Sequence, residues 1–156
     1  FVRNPWDRLF SAYNFLKAGG MNKGDRKWAE SNIAIYKTFE DFVKTGLQEI
    51  NIRQWKHIRA QSNFLFVPLN RKLQVNFLGY YENIQADFQY VANRLGLSNT
   101  VLMHENSSNS SEKLDYRHFY TEETRNIVSQ VYENDIKTFG YNFDNTSLKT
   151  QLQSRL

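Results

Sequence analysis

Arg3 and Ser11 are the first residues in this sequence whose types and spacing suit chemistry, and the chemistry they suit is anion binding. Phe1-Val2-Arg3 reads as the end of a buried strand. Asn4-Pro5 then reads as a helix start, with Asn4 as N-cap and Pro5 at the first helical position. An arginine at the carboxyl end of a strand, beside a helix N-terminus with free N–H groups, lies where open α/β sheets bind ligands. Asn4, Arg8 and Ser11 fall within about 60° of one another around the helix, away from Leu9 and Phe10. Ser11 lies about 10 Å along the axis from Asn4, so only a long side chain such as Arg3, folded back, could share a ligand with it. A strand, a capped helix and a surface arginine would account for the same spacing without any ligand.

A second group of residues suits proton transfer. His57, Arg59 and Gln61 alternate in a polar stretch, and an extended backbone would point all three the same way. His57 could act as a base near neutral pH, and it could equally be a surface histidine in a loop. His104 lies in a long polar loop, where functional residues often sit. His118, between Arg117 and Phe119, reads as structural, and Glu82 suits the first turn of a following helix.

The elements that would position these residues follow from periodicity. Trp6, Leu9, Phe10, Tyr13 and Leu16 give the first helix an apolar face, over Pro5 to Lys17, and Gly19-Gly20 ends it. Met21 to Asn32 is polar and reads as a loop. Thr38 is an N-cap for a helix carrying Phe39, Phe42, Val43, Leu47 and Ile50. Val75 to Leu78 reads as a strand ending at Gly79, and Ile84, Phe88, Val91 and Leu95 mark a helix closed by Gly96. A last helix runs from Thr121 through Phe139, and the polar tail after Phe143 is expected to fray. Apolar strands followed by helices predict an α/β fold, part of a parallel sheet flanked by helices.

Composition narrows the field. The 156 residues fit one domain, read as 1–143 with a polar tail over 144–156. Zero cysteines exclude disulfides, thiolate metal sites and a cysteine nucleophile, and favour a cytoplasmic setting. A net charge of +4 permits an anionic ligand without demonstrating one. No apolar run approaches the ~20 residues of a membrane helix.

The letters add a resemblance. Arg3-Asn4-Pro5, Arg8 and Ser11-Ala12-Tyr13 resemble the 3′-phosphate-binding motif of sulfotransferases that use 3′-phosphoadenosine 5′-phosphosulfate (PAPS). Further matches follow in the order of the family-2, carbohydrate-type branch. His57-Ile58-Arg59-Ala60-Gln61 through Leu65 is similar to H-x-R-P-Q-x-x-F-L, with Ala60 for Pro. Phe77 to Asn83 is similar to F-I-G-R-F-E-N, with Tyr80 for Arg. Met103-His104-Glu105-Asn106 resembles P-H-x-N, and Tyr116 to Thr121 and Asp135 to Tyr141 resemble the closing segments.

The resemblance implies a P-loop-NTPase-like parallel sheet and sulfuryl transfer from PAPS to a carbohydrate or small hydroxylated acceptor. The product would be adenosine 3′,5′-bisphosphate, with no metal and no nucleic acid partner. It assigns Arg3 and Ser11 to the 3′-phosphate. His57 is the candidate base, and Arg59, Gln61, His104 and Asn106 are further candidates. The family's first strand and phosphosulfate loop have no counterpart here: no G-K-S/T or P-K-x-x-S/T occurs, and Gly19 to Gly24 follows a helix. The chain therefore reads as the C-terminal part of such a domain. A catalytically inactive relative and a basic polyanion-binding module stay open, as does the Golgi lumen for a eukaryotic source. Oligomeric state is not legible.

Overall fold

A computed structural model describes residues 1–67, 72–97, 100–102 and 114–154. Among these residues the fold is helical. Nine α-helices follow in chain order: α1 Pro5–Lys17, α2 Lys23–Asn32, α3 Phe39–Lys44, α4 Ile50–Gln54, α5 Ser62–Leu65, α6 Ile84–Arg94, α7 Glu122–Val131, α8 Glu133–Phe139 and α9 Leu148–Gln153.

The expected α/β arrangement is overturned, and with it the P-loop-like parallel sheet: no strand or sheet occurs among the described residues. Val2 and Tyr80 make one parallel bridge, through Val2 N–H to the Gly79 carbonyl at 2.8 Å and Tyr81 N–H to the Val2 carbonyl at 2.7 Å. Pairing stops there because side chains take the next backbone groups. The Gln61 amide accepts from Arg3 N–H and donates to the Arg3 carbonyl, both at 2.9 Å. Glu82 Oε1 accepts from Asn4 N–H at 2.7 Å. Two short extended segments cannot build a stable sheet by themselves, and here their polar groups are satisfied without one.

The first helix matches the expected bounds. Asn4 Oδ1 accepts from Trp6 N–H at 3.1 Å, and Pro5 fills the first turn, where its missing N–H is harmless. Elsewhere the boundaries move. The polar run read as a loop is helical from Lys23, because Asn22 caps it and Ala29 and Ile33 face the core. Val75 to Leu78 is not a strand. The last long helix is two, with Tyr132 leaving helical geometry at φ −110°, ψ 25° between α7 and α8. Residues of the tail expected to fray form α9, whose Gln151 is buried and donates to the Phe139 carbonyl at 3.0 Å.

One core joins these helices other than α6. Trp6, Leu9, Tyr13 and Leu16 of α1 pack with Phe42 and Val43 of α3, with Ile52 and Ile58, and with Val128 and Phe139. Aromatic edges fill the joints: Tyr13 stacks on Phe42 with centroids 5.2 Å apart, and Phe10 meets Phe39 edge-on at 5.2 Å. This packing fixes α1, and α1 carries the site.

Candidate functional site

Arg3 leaves the Val2 bridge, and its side chain folds back along α1. Its Nε and Nη2 form a fork on the two oxygens of Asp7, each at 2.8 Å, and its Nη1 donates to Ser11 Oγ at 3.2 Å. The guanidinium also lies over the Tyr81 ring, 4.3 Å from its centroid. The structure thus brings together Arg3 and Ser11, separated by eight residues, on the first two turns of α1. Asp7, one turn before Ser11, was missed in the sequence, although arginine four residues before an aspartate on a helix is a legible pair.

Arg8 projects from the same side of α1 and is half-buried. Its N–H bonds the Asn4 carbonyl at 2.8 Å, but among the described residues its guanidinium makes no hydrogen bond or ion pair. Burial pushes its guanidinium below the ordinary arginine value, while Tyr132 and Asp135 act in the opposite direction. A desolvated cation without an acceptor is unfavourable to the fold. Replacing it with methionine, similar in length and uncharged, is expected to leave the melting temperature of the ligand-free protein unchanged or raised. Calorimetric melting checks this, and a large fall would show that Arg8 has a structural partner.

The 55–62 segment is a turn and a short helix, not an extended run. Ile58 N–H and Arg59 N–H both bond the Trp55 carbonyl, at 2.8 and 2.7 Å. His57, Arg59 and Gln61 consequently go to three different partners. Gln61 braces the Arg3 backbone. Arg59 is exposed and lies over the Phe64 ring at 5.2 Å. His57 packs beside the Phe15 ring, with centroids 5.1 Å apart, and its Nε2 lies 3.3 Å from Asp25 Oδ1. Burial lowers the His57 pKa, and the Asp25 carboxylate opposes that fall. His104 and Asn106 lie outside the described residues.

Asp135 holds this segment in place. Wholly buried, it accepts from Gln61 N–H at 2.6 Å and Ser62 N–H at 2.9 Å, and so caps α5 from α8. Tyr132 Oη adds a 2.6 Å bond to the Ile58 carbonyl. Glu82 plays a comparable part at the start of α1, receiving Asn4 N–H and, at 3.0 Å, the Tyr141 hydroxyl. It also sits in the first turn of the 3-10 helix Tyr81–Asn83, which runs directly into α6, as expected, and it makes this brace from there.

Among the described residues, no group of three His, Cys, Asp or Glu side chains could hold a metal ion. Among them, too, no helix is long and apolar enough to cross a membrane.

A sequence profile described as the sulfotransferase family matches residues 1–142. An uncharacterized protein of Archaeoglobus fulgidus is 30% identical over 100 residues, which cover 62% of this chain. The match spans 65% of that relative's own length. No solved structure matches the chain significantly.

Proposed function

The chain belongs to the sulfotransferase family, and we propose that it transfers a sulfuryl group from PAPS to a hydroxyl of a carbohydrate or other hydroxylated acceptor, releasing adenosine 3′,5′-bisphosphate. The observation that carries this reading is the Arg3–Ser11 contact at 3.2 Å beside the start of α1. The donor set suits a phosphate. With the Arg3 fork held on Asp7, the second N–H of each terminal guanidinium nitrogen and the Ser11 hydroxyl are the donors left for an anion, and the half-buried Arg8 cation adds positive charge nearby. Arg3 and Ser11 are our candidates for holding the 3′-phosphate of donor and product.

Acceptor chemistry is assigned around His57. Its ring is partly exposed, 31% by side chain, so one edge can reach a hydroxyl while the other meets Asp25. Half-buried Trp55, two residues before it in the chain, stacks on half-buried Trp28 with centroids 4.3 Å apart and planes 5° from parallel. That amphipathic aromatic surface favours an acceptor with an apolar face, as a sugar ring has. Arg59 and Gln61 flank the same turn, Arg59 as a further candidate contact and Gln61 as the brace already described.

The test is titration calorimetry on the full-length protein with adenosine 3′,5′-bisphosphate, adenosine 5′-monophosphate and a single-stranded RNA of mixed sequence. The bisphosphate is expected to bind more tightly than the monophosphate by about tenfold or more, from about 1.5–3 kcal/mol for charge-assisted contacts to the extra phosphate. Equal affinities would remove the 3′-phosphate assignment. Preference for the RNA would turn the basic surface into a polyanion-binding module instead.

A further inference from the structure

We propose that Asp25 is the positioning residue of His57, holding the imidazole with its proton on Nε2 so that Nδ1 is free to receive the acceptor's proton. This rests on the assignment of His57 to the acceptor side. Asp25 is 1% exposed and its carboxylate is fixed on both oxygens. Oδ2 accepts from Met21 N–H at 3.3 Å and the Asn22 amide at 3.1 Å, while Oδ1 meets Lys56 Nζ at 2.9 Å and His57 Nε2 at 3.3 Å. The contact joins residues 32 apart in sequence.

The Gly19-Gly20 pair acquires a physical role in this arrangement. Gly20 has φ +67°, and a Cβ there would sit 2.3 Å from Asp25 Cβ. Only glycine lets the chain leaving α1 close over the aspartate. Phe15, four residues after Ser11, lies about 40° around and roughly 6 Å along α1 from it. The Phe15 ring backs the imidazole. One helix therefore carries both the anion-binding pair and the wall behind the histidine.

The charged groups facing His57 are Asp25 from α2, Lys56 from its own turn and Arg8 from α1. Asp25 favours the imidazolium, and the two cations disfavour it. A fixed carboxylate on one ring nitrogen sets the tautomer and stabilises the imidazolium formed when the other nitrogen takes a proton. In the step, the acceptor oxygen bonds to sulfur and its proton passes to His57 Nδ1. The bond between sulfur and the 5′-phosphate oxygen breaks, and its electron pair stays on the phosphate.

The experiment uses the full-length protein with Asp25→Asn, Lys56→Met, His57→Ala and the Asp25→Asn/His57→Ala pair. Nitrogen NMR of the imidazole reads pKa and tautomer. Release of adenosine 3′,5′-bisphosphate from PAPS, with neutral and amino-sugar oligosaccharides as acceptors, reads turnover. Asp25→Asn is expected to lower the His57 pKa and mix its tautomers. Lys56→Met, at an exposed position, is expected to raise that pKa whether or not Asp25→Asn folds. His57→Ala should lower kcat by about 10²–10⁴-fold. Asp25→Asn should lower kcat with little change in KM, and it should cost nothing further in the His57→Ala background. An unchanged His57 tautomer in Asp25→Asn overturns the proposal, as does an equal loss with and without His57. Wild-type turnover in His57→Ala overturns it too, while leaving donor binding untouched. Failure of the bisphosphate to bind, with the Asp25–His57 coupling intact, would instead sink the sulfotransfer reading.

Discussion

Asp135→Ala is expected to lower the unfolding free energy by roughly 2–6 kcal/mol, from about 1–3 kcal/mol for each of two buried N–H groups left without an acceptor. The donors are Gln61 and Ser62, bonded at 2.6 and 2.9 Å, and Asp135 is 0% exposed, so water cannot replace the lost oxygens. Asp135→Asn keeps one acceptor oxygen and should lose about half as much. Urea unfolding measures both, and it should show a lower midpoint at unchanged m-value. The damage should also reach the candidate site. Asp135 fixes the Gln61 backbone, and the Gln61 side chain fixes the Arg3 backbone. Where Asp135→Asn still folds, it is expected to weaken adenosine 3′,5′-bisphosphate binding although it is not assigned to the ligand. Full stability in Asp135→Ala would mean that the α5 cap contributes nothing.

Those long-range braces mark the limit of what the sequence discloses. The start of α1 was legible because its signals are local: Asn4 caps, Pro5 has no N–H to satisfy, and the apolar residues repeat at helical spacing. The Arg3–Ser11 meeting was legible for a similar reason, since a helix fixes how far a folded-back arginine must reach. The sheet was expected from two extended segments and a family resemblance. Whether extended segments pair depends on what else reaches their polar groups. Here Gln61 and Glu82 do, from 58 and 78 residues away, and no local pattern announces them.

The same distance hid half of the candidate site. Lys23 to Asn32 is so polar that it reads as a loop, yet it forms α2 and places Asp25 under His57. The alternating His57-x-Arg59-x-Gln61 pattern suggested one shared face. The Trp55 carbonyl instead gathers the N–H groups of Ile58 and Arg59 into a turn that sends the three side chains apart. In the first case burial of Ala29 and Ile33 against the core overrides a period read over a few residues, and in the second a local turn does.

Arg3→Ala is expected to weaken adenosine 3′,5′-bisphosphate binding by about tenfold or more, the loss of about 1.5–3 kcal/mol for a charge-assisted contact. Two opposing effects set the size. Asp7 occupies two of the guanidinium's donors and offsets its charge, which limits the attraction Arg3 can offer an anion. The same fork also holds Nη1 against Ser11, so little side-chain entropy remains to be lost on binding. Arg3→Lys therefore separates charge from geometry: a lysine keeps the charge but cannot make the two-pronged contact with Asp7. It should bind the bisphosphate nearly as poorly as alanine if orientation dominates, and nearly as well as arginine if charge alone does. Ser11→Ala should show a smaller loss, about 0.5–1.5 kcal/mol for one neutral donor. Calorimetry at fixed ionic strength reads all three. Unchanged affinity in Arg3→Ala would detach the start of α1 from the nucleotide altogether.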